Sequence, residues 1–195
     1  MSNLAAPLGD GHTLLSDEDR ADLLQPDITT RQELFDAEQR NIATALLRPK
    51  PRLPTLLDDN YLRNLHKSMF GDVWGWAGRY RTSDTNIGIE SMYIAAAVRD
   101  VTGDATTWVA HETYEPDELA VRFHHRLVAV HPFVNGNGRH SRISADLLIT
   151  NLGGDAFSWG SNLGVSSEQL RQRYLAALRA ADTGEIDDLV SFARS

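Results

Sequence analysis

Residues 131–142 read HPFVNGNGRHSR and follow the segment EPDELAVRFHHRLVAV over 115–130. The earlier segment is patterned as a helix. Pro116 suits a first turn, whose amides lack partners in any case, and Leu119, Phe123 and Leu127 recur on one face. Pro132 biases His131 away from helical dihedrals, while Gly136 and Gly138 permit a tight reversal. After Arg139 a second stripe begins with Ile143, Leu147 and Leu148, and it stops before Asn151 and the pair Gly153 and Gly154. A helix, a tight loop and a second helix therefore form the unit around which the rest must pack.

That loop has chemistry of its own. Backbone amides around residues 135–139 can converge where the second helix starts, and the orphan donors of a helix N-terminus attract anions. Arg139 and Arg142 lie three positions apart, so both can reach from one helical side toward a polyphosphate. The same pair serves equally well in a network with carboxylates elsewhere in this acidic chain. Asn137 can bind a phosphoryl oxygen or hold the loop. His131, beside such a cradle, can act as a general base if its neutral form faces a hydroxyl. His140 reads as exposed support for the loop. The adjacent His124 and His125 cannot share one direction on a helix, so by themselves they make no metal pair. The loop matches neither GxxxxGK[ST] nor a full GxGxxG, which sets aside two common nucleotide-binding signatures.

The 195 residues suit a single domain, or one with a small appendage, and 42% hydrophobic residues with four tryptophans can fill its core. A formal net charge of -8 argues against general attraction to nucleic acid or anionic membranes. The absence of cysteine removes disulfide and thiolate chemistry, and no apolar run reaches the ~18 residues of a membrane span. No signal sequence is visible near Leu4 and Pro7, and the expected location is the cytoplasm.

Residues 1–11 read as a loose lead, and SDEDRADLL over 16–24 as a short helix capped by Ser16, which could serve as an arm. TRQE over 30–33 is a capping box; it opens a helix whose Leu34, Ala37, Ile42, Ala45 and Leu46 face inward until the prolines of 49–54. Residues 58–70 form the next helix, with Leu62, Leu65 and Met69 on its apolar face and His66 taken as core or surface. Between it and a helix over 93–109, DVWGWAGRYRTSDTNIGIE is rich in turn signals, and a small hairpin is expected over 83–90. Two further helices are expected over 167–180 and 186–192. The expected fold class is mainly α with a small β-hairpin flap. An N-terminal helical extension over 1–57 is expected to pack on a main domain over 58–195.

HPFVNGNGRHSR resembles the motif HPFx[D/E]GNGRxxR of Fic-domain proteins, the Fido family, at His131, Pro132, Phe133, Gly136, Asn137, Gly138, Arg139 and Arg142 in order and spacing. The likeness covers about residues 58–192, and DVWGWAGRYRT over 72–82 is similar to the segment preceding the family's substrate-binding flap. The passages GHTLLSDEDRADLL and ITTRQELFDAEQRNI resemble the mobile mystery protein B branch of the family.

The resemblance implies a Fic-type helical domain that transfers AMP from ATP, its co-substrate, to a Ser, Thr or Tyr hydroxyl of a protein, releasing pyrophosphate. It implies His131 as general base, Phe133 as loop anchor, Gly136, Asn137 and Gly138 as anion cradle, and Arg139 and Arg142 on the polyphosphate. The flap near 85–89 would align the target by main-chain pairing. Mg or Mn is implied at residue 135, where the family carries Asp or Glu. Asn135 supplies an oxygen without a charge and should hold a hard cation less strongly. Transfer of a different phosphate-containing group, and a nucleotide-binding regulatory module with weak or no catalysis, stay open beside AMP transfer. The branch resemblance implies a bacterial protein with a separate helix-turn-helix partner in a toxin-like or regulatory pair. Many family members are inhibited by a helix carrying [S/T]xxxE[G/N]. TTRQE over 29–33 lacks the final Gly or Asn, so Glu33 is expected to cap its own helix, and Glu38 is a second conceivable partner for Arg142.

Overall fold

The computed structural model describes residues 16–195. The expected loose lead over 1–11 and the first five residues of GHTLLSDEDRADLL lie outside them. The described chain forms α1 (Asp17–Ala21), α2 (Arg31–Leu46), α3 (Leu53–Leu56), α4 (Asp59–Phe70), α5 (Ile94–Ala110), α6 (Pro116–Val130), α7 (Asn137–Asn151), α8 (Ser167–Asp182) and α9 (Asp187–Arg194), with one 3-10 turn at Ser91–Tyr93. The fold is mainly α, and α5 passes through Gly103 without a break.

Short polar side chains set several helix starts. Ser16, Thr30, Asp58 and Ser166 each accept a bond from the amide three residues on, replacing a partner that the first turn lacks. At α2 the box is reciprocal, because the Glu33 carboxylate accepts the amides of Thr29 and Thr30, both at 2.9 Å. Those amide bonds hold the Glu33 carboxyl below its ordinary pKa.

Two apolar clusters organise the helices. The larger gathers Ile94 and Val98 of α5, Phe123 and Leu127 of α6, Leu148 and Ile149 of α7, and Leu189 and Phe192 of α9. The second joins Ala37, Ile42 and Ala45 of α2 to Met69 and Phe70 of α4, Trp74, Trp76 and Val134. Each large side chain so buried contributes roughly 1.5–3 kcal/mol relative to exposure, which is enough to dock a short helix. Leu46 departs from the expected stripe at 52% exposure, because Glu38 and Asn41 take inward positions on α2 instead. Asn41 is satisfied there: it donates to Ser68 O and accepts from Asp72 N, both at 2.9 Å. Residues 19–25 are stitched to the segment after α4 by Leu24 N to Val73 O and Gly75 N to Asp22 O, both 2.9 Å, and by Trp76 Nε1 to Asp19 O at 3.1 Å.

The hairpin expected over 83–90 is not a ladder. Bridges among the described residues are isolated, Leu23 with Trp74 and Tyr80 with Phe133, and residues 82–90 form a series of bends. The reason is a side chain. Arg81 is 3% exposed and donates to the carbonyls of Ser83 and Ile89, which takes the acceptors that pairing strands would use. No helix among the described residues is long and apolar enough to cross a membrane.

Candidate active site

His131 caps the C-terminus of α6 in the left-handed region, with φ 54° and ψ 58°. A non-glycine residue there costs about 1–3 kcal/mol and persists only when its surroundings hold it. Here Arg81 holds the turn: its amide donates to Pro132 O at 3.0 Å and its Nε to His131 O at 2.8 Å. The imidazole is 7% exposed, and its Nδ1 lies 3.3 Å from Val128 O. A carbonyl can only accept, so Nδ1 carries the hydrogen and Nε2 the lone pair. Burial pushes the pKa of His131 down to about 4, opposed by the Val128 bond and aided by the Arg81 charge. The ring is therefore neutral at pH 7.

The loop that follows closes on itself. Asn137 accepts from Phe133 N at 2.9 Å through Oδ1 and donates to Phe133 O at 2.7 Å through Nδ2. Its side chain is thereby committed to the loop, and what Asn137 can offer an anion is its main-chain amide. Phe133 is fully buried and stacks on His66 with ring centres 3.7 Å apart. His66 accepts from Gly78 N at Nδ1 (3.0 Å), so its hydrogen sits on Nε2, which donates to Asn135 O at 2.9 Å. Burial, then the neighbouring His140, holds the His66 pKa well below the ordinary value. Gly136 is left-handed at φ 79°, and a Cβ there would lie 2.6 Å from the Phe70 ring, so only glycine fits. The amides of residues 137–139 precede the first closing bond of α7, His140 N to Gly136 O at 2.9 Å. They belong to the donor-rich end of a helix beside His131.

The two motif arginines part company. Arg139 pairs with Glu38 of α2 at 2.6 Å and lies over the Phe70 ring, whereas Arg142 lies over the Tyr174 ring of α8 at 5.3 Å. Glu38 thus meets the first arginine, not Arg142, and it also accepts from Trp74 Nε1 at 2.7 Å. Glu33 stays at its own helix start. The Tyr174 hydroxyl is 3.1 Å from His124 Nε2 and 4.0 Å from where a Cβ on Gly138 would stand, so α8 forms one wall of the loop. Burial pushes His124 down to about 3. His125 diverges from it, facing Asp182 at 2.8 Å.

His140 is not exposed as expected. It is 1% exposed, with Nε2 facing Leu62 O at 2.9 Å across the seam between α4 and α7, and burial pushes its pKa to about 4. Asn135 turns its Oδ1 back onto Gly136 N at 2.5 Å. It offers a single uncharged oxygen, and no group of three or more His, Cys, Asp or Glu among the described residues could hold a metal ion. The chain's own donors therefore do not make a site for a hard divalent cation at this loop.

Arg81 and Tyr174 had no site role in the sequence, and Glu38 was expected at Arg142 rather than at Arg139. Glu38 had a signal in its register, since it shares the inward face with Asn41, Ile42 and Ala45. Tyr174 falls in the helix expected over 167–180 with nothing in its spacing to mark it as a site residue, and Arg81 carried no spacing signal at all.

Residues 56–149 match the model of the Fic/DOC family. The protein adenylyltransferase fic-1 of Caenorhabditis elegans is 29% identical over 162 residues, which span 81% of this chain and 30% of that protein. The N-terminal Fic domain of Bep8 from Bartonella sp. 1-1C superposes with a TM-score of 0.67 at 14% identity, covering 87% of this chain and 88% of that one. BepC from Bartonella tribocorum, solved with bound AMPPNP, does so with a TM-score of 0.67 at 15% identity, covering 92% and 97%. At such identities the two superpositions speak for the fold.

Proposed function

We propose that this chain, whose residues 56–149 match the Fic/DOC family model, is a protein adenylyltransferase that moves AMP from ATP to a Ser, Thr or Tyr hydroxyl of another protein. One juxtaposition carries this reading: the neutral, buried His131 stands directly before a loop whose amides open α7. His131 Nε2 takes the proton of the acceptor hydroxyl as its oxygen attacks the α-phosphorus of ATP. The bond from that phosphorus to the bridging oxygen breaks, and pyrophosphate leaves with the electron pair. Main-chain amides over 136–139 stabilise the tail, and Arg139 and Arg142 approach it from opposite walls. For this Arg139 exchanges Glu38 for phosphate. Mg or Mn would arrive with the nucleotide, since Asn135 lacks the charge to retain it.

A second reading, a nucleotide-binding regulatory module without transfer, has its own support. Glu38 occupies Arg139 and Asn135 covers the Gly136 amide, so the cradle is partly filled by the chain itself. The proposed separate helix-turn-helix partner rests on the resemblance of residues 11–24 and 28–42 to the mobile mystery protein B branch.

Mass spectrometry of a cell extract incubated with the protein and ATP tests the enzyme. An AMP adduct on a protein hydroxyl is expected, and His131→Ala should slow its formation by ~10²–10⁴-fold with an unchanged melting temperature. ATP binding without any adduct, with Mg or Mn supplied, would favour the module.

A further inference from the structure

We propose that Arg81 is a positioning residue that sets the spacing between the flap over 82–90 and His131, doing with one side chain what a strand ladder does in a hairpin. Its side chain is 1% exposed, and each nitrogen position serves a different segment. Nε donates to His131 O at 2.8 Å, one terminal nitrogen to Ser83 O at 2.9 Å where the flap begins, and the other to Ile89 O where it ends. The nearest carboxylate is Asp84 at 3.9 Å, which is 66% exposed. A buried guanidinium satisfied almost wholly by carbonyls is an expensive arrangement, and its planar fork holds those three carbonyls in one fixed relation.

The backbone repeats the connection. Arg81 N donates to Pro132 O at 3.0 Å, and Ile89 N reaches Val130 O at 3.4 Å. Gly88, at φ 97°, sits so close that a Cβ there would overlap His131 Cβ. The flap is therefore seated on the histidine itself, and Arg81 is the group that ties both of its ends to that histidine's carbonyl. Its positive charge also adds to the burial that keeps the imidazole neutral. The inference rests on His131 as the base of the proposed transfer, but its principal readouts do not need that reaction.

The test compares the full chain with Arg81→Lys and Arg81→Gln. Lysine keeps the charge yet presents one ammonium where three diverging donors stood, so any shared effect of the two variants reports geometry. Hydrogen exchange at the Gly88 and Ile89 amides should accelerate about tenfold or more while α6 and α7 amides stay as they are. The His131 imidazole, followed by NMR, should titrate about one pH unit closer to a free histidine in both variants. Flap exchange within twofold of the parent in Arg81→Lys would overturn the proposal. So would a uniform acceleration across α6 and α7, which marks a residue that serves only overall stability. If the parent labels protein, Arg81→Lys should raise KM for the acceptor and leave KM for ATP within twofold. A parent that labels nothing removes the adenylyltransferase reading, and the exchange and titration results still decide the role of Arg81.

Discussion

The loop over 131–139 and the flap over 82–90 meet at His131, yet they are built in different ways. The loop is closed by its own neighbours and seated in the packing: Asn137 clasps Phe133, Gly136 fits the Phe70 ring, and His66 fixes the Asn135 carbonyl. The flap has no ladder and no buried apolar anchor of that size; it hangs on Arg81 and a few backbone bonds. A region closed by packing shares the stability of the core, whereas one held by a few bonds with little apolar packing can open alone.

Acid provides the largest test of this contrast, because neutral buried histidines surround the loop and none lies in the flap. His66, His124, His131 and His140 all have folded pKa values below 6.5, so the unfolded chain binds more protons as pH falls. Their stabilising effect is complete above the unfolded value and is lost as pH falls toward their folded values, at about 1.4 kcal/mol per pH unit for each. Asp146 has the opposite sign, since burial pushes it up to about 6 and its penalty is relieved by acid. Urea unfolding should therefore show a net loss on the order of 3–5 kcal/mol between pH 6.5 and 5. A flat profile over that range would contradict the neutral state assigned to these rings.

Two glycine substitutions sharpen the comparison. Gly136→Ala forces a Cβ toward the Phe70 ring at a left-handed position and should destabilise the whole protein by roughly 2–4 kcal/mol. Gly88→Ala collides with His131 at an equally unfavourable φ, but the flap can lift away, so global stability should change by less than about 1 kcal/mol. Denaturant titration measures both, and a reversed order would mean that the flap is the more firmly built of the two.

The smallest expected effect concerns the arginine held outside the loop. Glu38→Gln keeps an oxygen for the Trp74 indole and removes the charge facing Arg139, so ATP affinity should rise by about fivefold, equivalent to about 1 kcal/mol for a partly exposed pair. Isothermal titration would detect it, and an unchanged Kd would show that Arg139 does not contribute to nucleotide binding.

Much of the helical order was readable residue by residue. The cap at Ser16, the box at Thr30, the proline at the start of α6 and the stripe of Leu119, Phe123 and Leu127 are local signals whose bonds span three or four residues. The stop at His131 and the turn at Gly136 were readable for the same reason. Where the reading failed, the deciding partner lay far away. Leu46 is exposed because Glu38 and Asn41 face the core, His140 is buried because the Leu62 carbonyl waits across the seam, and the flap has no ladder because Arg81 takes its carbonyls.

By itself the sequence determined a mostly helical chain with a donor-rich turn behind a histidine, since capping, periodicity and glycine dihedrals act over a few residues. Tertiary structure alone decided that His131 is buried and neutral, that Glu38 and Tyr174 come to wall the loop, and that Arg81 ties the flap to His131. Those outcomes depend on desolvation and on partners 36–101 residues away, which no local pattern encodes.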